Sequence, residues 1–246
     1  MTYTKRFDGR KVDELRSIEA EVGVVSNAVG SARFKIGKTE AIAAVYGPKE
    51  LFPKMLKDPE KGVLRCYYNM LPFAGFGGRV RPGGNRRSKE ISMVTENALL
   101  PVLDLTEFPN AAVEVHIELP QTDAGSRCAG ICAASMALAD AGFKMKDLVS
   151  AVAIGYIGGS VVVDINYEEE HYNEFKETHK DVEESETDIP VAYIAVDDCF
   201  SLLQMDGDID TKHLKEALKT AKGACMKIYD IQKEALRKKF NSESND

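Results

Sequence analysis

The sequence predicts an α+β fold with mixed sheets and two similar halves. Its 246 residues are enough to bury a sizeable core. Short stretches of apolar alternation recur from residue 18 to residue 204, and three longer stretches carry helical periodicity. Their order, several strands, a helix, a strand, a helix, then four strands and a last helix, is that of an α+β chain rather than a repeating βαβ array. The reading is of one domain, 1–246, with approximate halves 1–145 and 146–246.

The elements follow one another with clear punctuation. Ile18-Glu-Ala-Glu-Val-Gly-Val-Val25 alternates as a strand. Ser31–Ile36 and Thr39–Tyr46 form a hairpin through Gly37-Lys38, and Gly47-Pro48 is expected to stop the third strand. Val63–Leu71 is β-rich. Asn85 can cap a helix that begins Arg86-Arg-Ser-Lys-Glu, whose stripe is Ile91, Val94, Ala98, Leu99 and Val102, with Pro101 as its stop. After Ala112–Leu119, a strand, comes an apolar helix closed by Ala141-Gly142. Ser150–Ile157 and Ser160–Ile165 turn through Gly158-Gly159, and Ile189–Val196 and Cys199–Gln204 are strands. The stretch starting at Asp206 is expected to open a long helix with the stripe Leu214, Ala217, Leu218, Ala221, Cys225, Ile228, Ile231 and Ala235.

The chain's most informative segment is Gln121-Thr-Asp-Ala-Gly-Ser-Arg127, set between a strand and a helix that is apolar on nearly every side. Gly125 and Ser126 then sit at a helix N-terminus, where unpaired N–H groups and the positive dipole end favour an anion. Arg127 adds a cation whose fork suits phosphate. The competing reading is a capping serine and a solvated arginine.

Charge is segregated. Net charge is −7, yet residues 61–90 hold seven Lys/Arg and one acid, while 164–188 hold eleven acids and two lysines. Within the basic part, residues 74–85 carry five glycines and two arginines, a loop that can track a phosphate backbone, with Phe76 available to stack a base. Arg86 and Arg87 stand in the first turn of a helix, where the dipole disfavours cations and an anionic partner would compensate. The five cysteines form no Cys-x-x-Cys pair, and Cys128 and Cys132 read as buried thiols. His116 reads as a strand-face residue. With no apolar run of about 18 residues and no apolar signal core, a cytoplasmic protein is expected.

Taken together, Asp8-Gly-Arg10, Leu15-Arg16, Tyr68-Asn-Met-Leu-Pro72, Arg86-Arg87, Gln121–Arg127 with Ala133–Gly142, Val163-Asp-Ile-Asn166 and Thr187-Asp-Ile-Pro190 are specific. With them the chain resembles the RNase PH family. It looks more like the catalytic RNase PH-like subunit of the archaeal exosome than like the bacterial enzyme that trims tRNA. The resemblance implies a ribosomal-protein-like left-handed βαβ fold. It also implies a hexameric ring shared with an inactive RNase PH-like partner, and a cap of RNA-binding subunits. The implied reaction is 3′→5′ phosphorolysis of RNA to nucleoside diphosphates, with inorganic phosphate as co-substrate and Mg²⁺ assisting.

Residue by residue, the resemblance places phosphate at Gly125, Ser126 and Arg127 and RNA phosphates at Arg86 and Arg87; Arg65, Arg79 and Arg81 are further candidate RNA contacts. A family aspartate shortly before Asp188 acts as acid or metal contact, and Asp188 itself is a candidate catalytic group and metal ligand. Here the chain departs from the family spacing. Counting forward from Asp164 puts Glu170 at the catalytic position; counting back from Asp188 falls beside Asp181, which the spacing to Asp188 favours. Two rivals to the catalytic subunit remain: a non-catalytic RNA-binding ring subunit, for which the altered segment speaks, and a free-standing tRNA-trimming enzyme, against which the pattern around Arg86 and the Asp-Ala-Gly-Ser-Arg loop speaks. The presence of Arg86, Arg87, Ser126 and Arg127 speaks against the first.

Overall fold

The computed structural model describes residues 3, 6–76, 78–81, 84–175 and 186–243. Two sheets carry the fold. The first has strands β1 (Ile18–Val22), β2 (Gly30–Ile36), β3 (Thr39–Glu50), β4 (Val63–Met70) and β5 (Ala111–Gln121), in the order β1-β2-β3-β5-β4. The second has β6 (Val149–Ile157), β7 (Ser160–Val163), β8 (Glu186–Ile194) and β9 (Cys199–Leu203), in the order β7-β6-β8-β9. Among the described strands only β4 and β5 run parallel, and α1 (Arg86–Leu99) makes the crossover between them.

Helix α2 (Ser126–Asp140) packs against β2, β3 and β5 of the first sheet and β6 and β8 of the second. That position explains its composition. From Cys128 to Leu138 every residue is buried, and small side chains, chiefly alanines, let two sheets approach one helix. A helix apolar all round is what such a central site demands. Helix α5 (Thr211–Glu243) lies along β6 and β7 and reaches β1, so it ties the two sheets together. Its stripe residues Ala217, Ala221, Cys225 and Ile228 are buried, as the periodicity requires. No described helix is long and apolar enough to cross a membrane.

The β6–β7 hairpin turns through Gly158 and Gly159, at φ +51° and +77°. Both central positions are left-handed, which glycine adopts without a Cβ clash. Asn85 caps α1 through a reciprocal pair, Asn85 Oδ1 accepting from Ser88 N at 2.7 Å and Ser88 Oγ from Asn85 N at 2.9 Å. Cys128 and Cys132 are buried thiols, and His116 stacks on Tyr67 on the sheet face (4.8 Å between ring centroids).

Two expectations change. Strand β3 does not stop at Gly47-Pro48; it pairs with β5 on to Glu50 through an irregularity between Tyr46 and Lys49, and a bulge is where a strand passes a proline that cannot donate. The final helix starts at Thr211, capped by Asp210, which accepts from His213 N at 2.8 Å. The residues before it are used otherwise: Asp206 bridges antiparallel to Asp188, N–H to carbonyl at 2.9 Å both ways. Within the acidic stretch lie the one-turn helices α3 (Tyr167–Glu170) and α4 (Tyr172–Phe175), and Asp164 and Glu169 are buried.

Candidate active site

The candidate residues gather where the N-terminal ends of α1 and α2 face the second sheet. A cleft of about 360 Å³ is lined by Arg87 and Glu90 of α1, Arg127 of α2, Glu170 of α3, Thr187 and Asp188 of β8, and Asp206. A second cavity of about 490 Å³ adjoins it, sharing Arg87, Glu170 and Asp206 and adding Ser126, Phe76, Tyr167 and His171.

On the cationic side, the loop before α2 is shaped by two consecutive left-handed residues, Ala124 at φ +56° and Gly125 at φ +63°. Thr39 holds this loop in place: its hydroxyl donates to Ala124 O at 2.7 Å and accepts from Asp123 N at 2.8 Å. Gly125 is the N-cap and offers no side chain, so the first N–H groups of α2 keep no side-chain partner at the cap. Ser126 is buried in the first turn. Arg127 stretches across to Gln204, donating from Nη1 to Oε1 at 2.5 Å, and Gln204 Nε2 donates to Glu90 at 3.1 Å. Glu90 also stands 3.7 Å from Arg127. Both Arg86 and Arg87 are exposed, but only Arg87 lines the cleft.

On the acidic side, Asp188 keeps a little surface on the cleft while its Oδ1 is sealed from solvent with no hydrogen-bond donor. Desolvation pushes its carboxyl up to about 7; the charges of Glu170 and Asp206 add to this, and Arg127 and Arg87 oppose it. Glu170 lines both cavities. Of the two acids that the spacing puts forward beside Asp188, Glu170 lies here and Asp181 lies outside the described residues; Glu186 of the same stretch also lines both cavities. The other arginines stand apart. Arg65, on β4, donates to Phe52 O at 2.9 Å, and Arg79 and Arg81 are exposed on the glycine-rich loop; none lines the cleft.

Sequence reasoning missed Asp206, Gln204 and Glu90. The first two reach the cleft through the pairing of β8 with β9 and its extension, which no local motif announces. Glu90 had a signal: it lies one turn after Arg87 on the same face of α1.

No group of three or more His, Cys, Asp or Glu residues able to hold a metal exists among the described residues. Of the carboxylates on the cleft, Glu170 and Asp188, the latter with an orphaned buried oxygen, suit Mg²⁺, which binds through one or two carboxylates, its waters and substrate phosphates.

Compared with known proteins, the chain matches the family model for the 3′ exoribonuclease family, domain 1, over residues 14–144 and domain 2 over residues 147–224. The exosome complex component Rrp41 of Thermococcus kodakarensis is 48% identical over 236 residues, covering 96% of this chain and 90% of that protein. The Rrp41 of Methanopyrus kandleri is 43% identical over 238 residues, covering 97% and 94%. Among solved structures, the crystal structure of rice (Oryza sativa) Rrp46 superposes with a TM-score of 0.78 over 94% of this chain and 100% of that one; at 24% identity the likeness is one of fold.

Proposed function

The chain belongs to the 3′ exoribonuclease, or RNase PH, family, and from that premise we propose that it is the catalytic, phosphorolytic RNase PH-like subunit of an exosome ring. Its partners on this reading are RNA, a non-catalytic RNase PH-like subunit alternating with it in a hexamer, and an RNA-binding cap. The observation that supports it best is a single cleft with Arg87 and Arg127 at two helix N-termini on one side and Asp188 with Glu170 on the other.

The chemistry needs two anions, inorganic phosphate and the 3′-terminal phosphodiester, brought together in line. Arg127 and the first N–H groups of α2 at Gly125 and Ser126 hold the attacking phosphate. Arg87, with Arg86 beside it, holds the RNA backbone. Attack on phosphorus forms the new P–O bond and breaks the bond to the 3′ oxygen of the penultimate nucleotide. A nucleoside diphosphate leaves, and the shortened RNA keeps a 3′ hydroxyl. That oxygen must gain a proton, and Asp188, which retains one near neutral pH, can supply it. No protein nucleophile is required; positioning and charge neutralisation carry the rate. The reaction is transfer to phosphate, not hydrolysis. Glu170, joined by Asp188 once it has given up its proton, would hold Mg²⁺, which when bound would neutralise charge on the phosphoryl oxygens.

The test is ADP release from poly(A), with and without phosphate and Mg²⁺, by the chain alone and with an RNase PH-like partner. Phosphate-dependent ADP that needs the partner supports the ring subunit. Equal activity alone would replace it with the free-standing enzyme, and AMP or no product would overturn phosphorolysis.

A further inference from the structure

Glu169 and Glu170 both border the cleft, but their carboxylates are held differently. Glu169 is wholly buried, and both its oxygens are saturated. Oε1 accepts from Arg6 Nε at 2.8 Å and Tyr3 Oη at 3.1 Å; Oε2 accepts from Arg6 Nη2 at 2.6 Å and Asn166 N at 3.1 Å. Arg6 is equally buried, and its remaining N–H groups are taken up by main-chain carbonyls. Nη1 donates to Val163 O at 2.8 Å and to Lys11 O and Glu14 O at 3.2 Å, and Nη2 to Asp164 O at 2.8 Å. One guanidinium thus ties the amino-terminal segment, the end of β7 and the only turn of α3.

A four-residue helix has no independent stability, since nucleating one turn costs more than its own hydrogen bonds return. Three contacts orient α3: the capping pair with Asn166, in which Glu169 N donates to Asn166 Oδ1 at 2.9 Å, the bond from Tyr167 N to Asp123 Oδ1 at 2.9 Å, and the Arg6 fork on Glu169. Successive helical residues point about 100° apart. With the Glu169 carboxylate bound by Arg6, Glu170 lines both cavities, whereas Glu169 borders only the first. A second fork works alongside. Arg16 holds Asp164 through Nε at 2.9 Å and Nη2 at 2.6 Å, and its Nη1 donates to Asp123 O in the loop that leads into α2.

We infer that Arg6, through its buried fork on Glu169, is a positioning residue that sets where Glu170 stands in the cleft. The inference rests on the catalytic reading of Glu170 given above. A lysine at position 6 keeps the charge but loses the planar two-point contact.

The experiment uses full-length Arg6→Lys, Glu169→Gln, Glu170→Gln and the Arg6→Lys/Glu170→Gln double variant, each assembled with the ring partner. It reads phosphate-dependent ADP release, with kcat and the KM for phosphate separated, and a thermal melt. Arg6→Lys is expected to lower kcat by on the order of tenfold or more, to leave the KM for phosphate within about twofold, and to add nothing to the loss in Glu170→Gln. An unchanged kcat in folded Arg6→Lys and Glu169→Gln overturns the inference. So does a loss that multiplies in full onto that of Glu170→Gln, which is how a general loss of folded enzyme behaves. Should Arg6→Lys fail to fold, Glu169→Gln and its double variant with Glu170→Gln carry the same comparison. A fully active Glu170→Gln overturns the catalytic reading of Glu170 and the inference with it. That result differs from failure of the brace alone, in which Glu170→Gln is impaired and Arg6→Lys is not.

Discussion

On the α1 and α2 side of the cleft, Arg86 and Arg87 stand in solvent on a capped helix, and Arg127 rests half-exposed against Gln204 and Glu90. On the β8 side, Asp188 has an oxygen sealed from water that no donor meets. The contrast follows from what each group has to do. An arginine stays charged across the whole working pH range, so burial could not tune it and would only cost solvation. A carboxyl that must deliver a proton near neutrality has to be moved from its ordinary value, and desolvation is the means that moves it furthest. One side therefore waits in water for its anions, and the other is built into the sheet.

The sharpest way to break this contrast is at Asp188. Asp188→Asn keeps the shape of the side chain and removes the acid. If the buried carboxyl supplies the proton, kcat for ADP release falls about 10²–10⁴-fold, while RNA binding measured without phosphate is unaltered. A kcat within a few-fold of the parent would shift the acid role elsewhere. Next in size is Arg127→Ala, which removes the charged half of the phosphate site. Charge-assisted bonds of about 1.5–3 kcal/mol correspond to a KM for phosphate raised roughly tenfold to a hundredfold. An unchanged phosphate requirement would leave Arg127 as a structural partner of Gln204 and nothing more.

Smaller still is the expected effect of replacing Arg86 and Arg87 together by alanine. Each neutralised phosphate of a single strand contributes about 0.7 to the slope of log K against log salt. The double variant should therefore bind RNA more weakly at low salt, with a slope flatter by about 1.4 if both touch the backbone. A drop near half that value would assign the contact to Arg87, the one that lines the cleft. No change at any salt concentration would remove both from the RNA path.

The two sides also differed in how far they could be read from sequence. The cationic side is local. Asn85 before Arg86-Arg-Ser88 announces its own cap, and a strand, a short Gly-Ser-Arg loop and an apolar run announce the head of a buried helix. Each of these signals lies within about one helical turn of the residue it places. The acidic side is assembled from a distance. Nothing within Tyr167-Glu-Glu-Glu170 distinguishes Glu169 from Glu170, because the choice is made by Arg6, 163 positions earlier. Asp206 becomes a cleft residue only because its backbone pairs with Asp188. Counting forward from Asp164 reaches Glu170, but counting back from Asp188 points to Asp181, and no count shows Arg6 on Glu169 or Asp206 beside Asp188, since spacing carries information only while the chain between stays in one regular element.

The pH dependence of stability supplies the smallest and most direct test of the β8 side. In the folded chain Asp188 holds its proton up to about pH 7, whereas the unfolded chain releases it near the ordinary value of 3.8. Between those limits the folded state binds more protons than the unfolded one, so this group's contribution to stability is complete below about pH 4 and is lost as pH rises through 7. Asp188→Asn cannot titrate. Its stability relative to the parent should therefore climb from pH 4 to pH 7 and level off above, by about 1–2 kcal/mol once solvent screening at the cleft is allowed for. Denaturant melts of both proteins across that range measure the difference. Parallel curves would mean that the carboxyl is ionised in the cleft at neutral pH. The proton for the leaving oxygen would then have to come from a group other than Asp188.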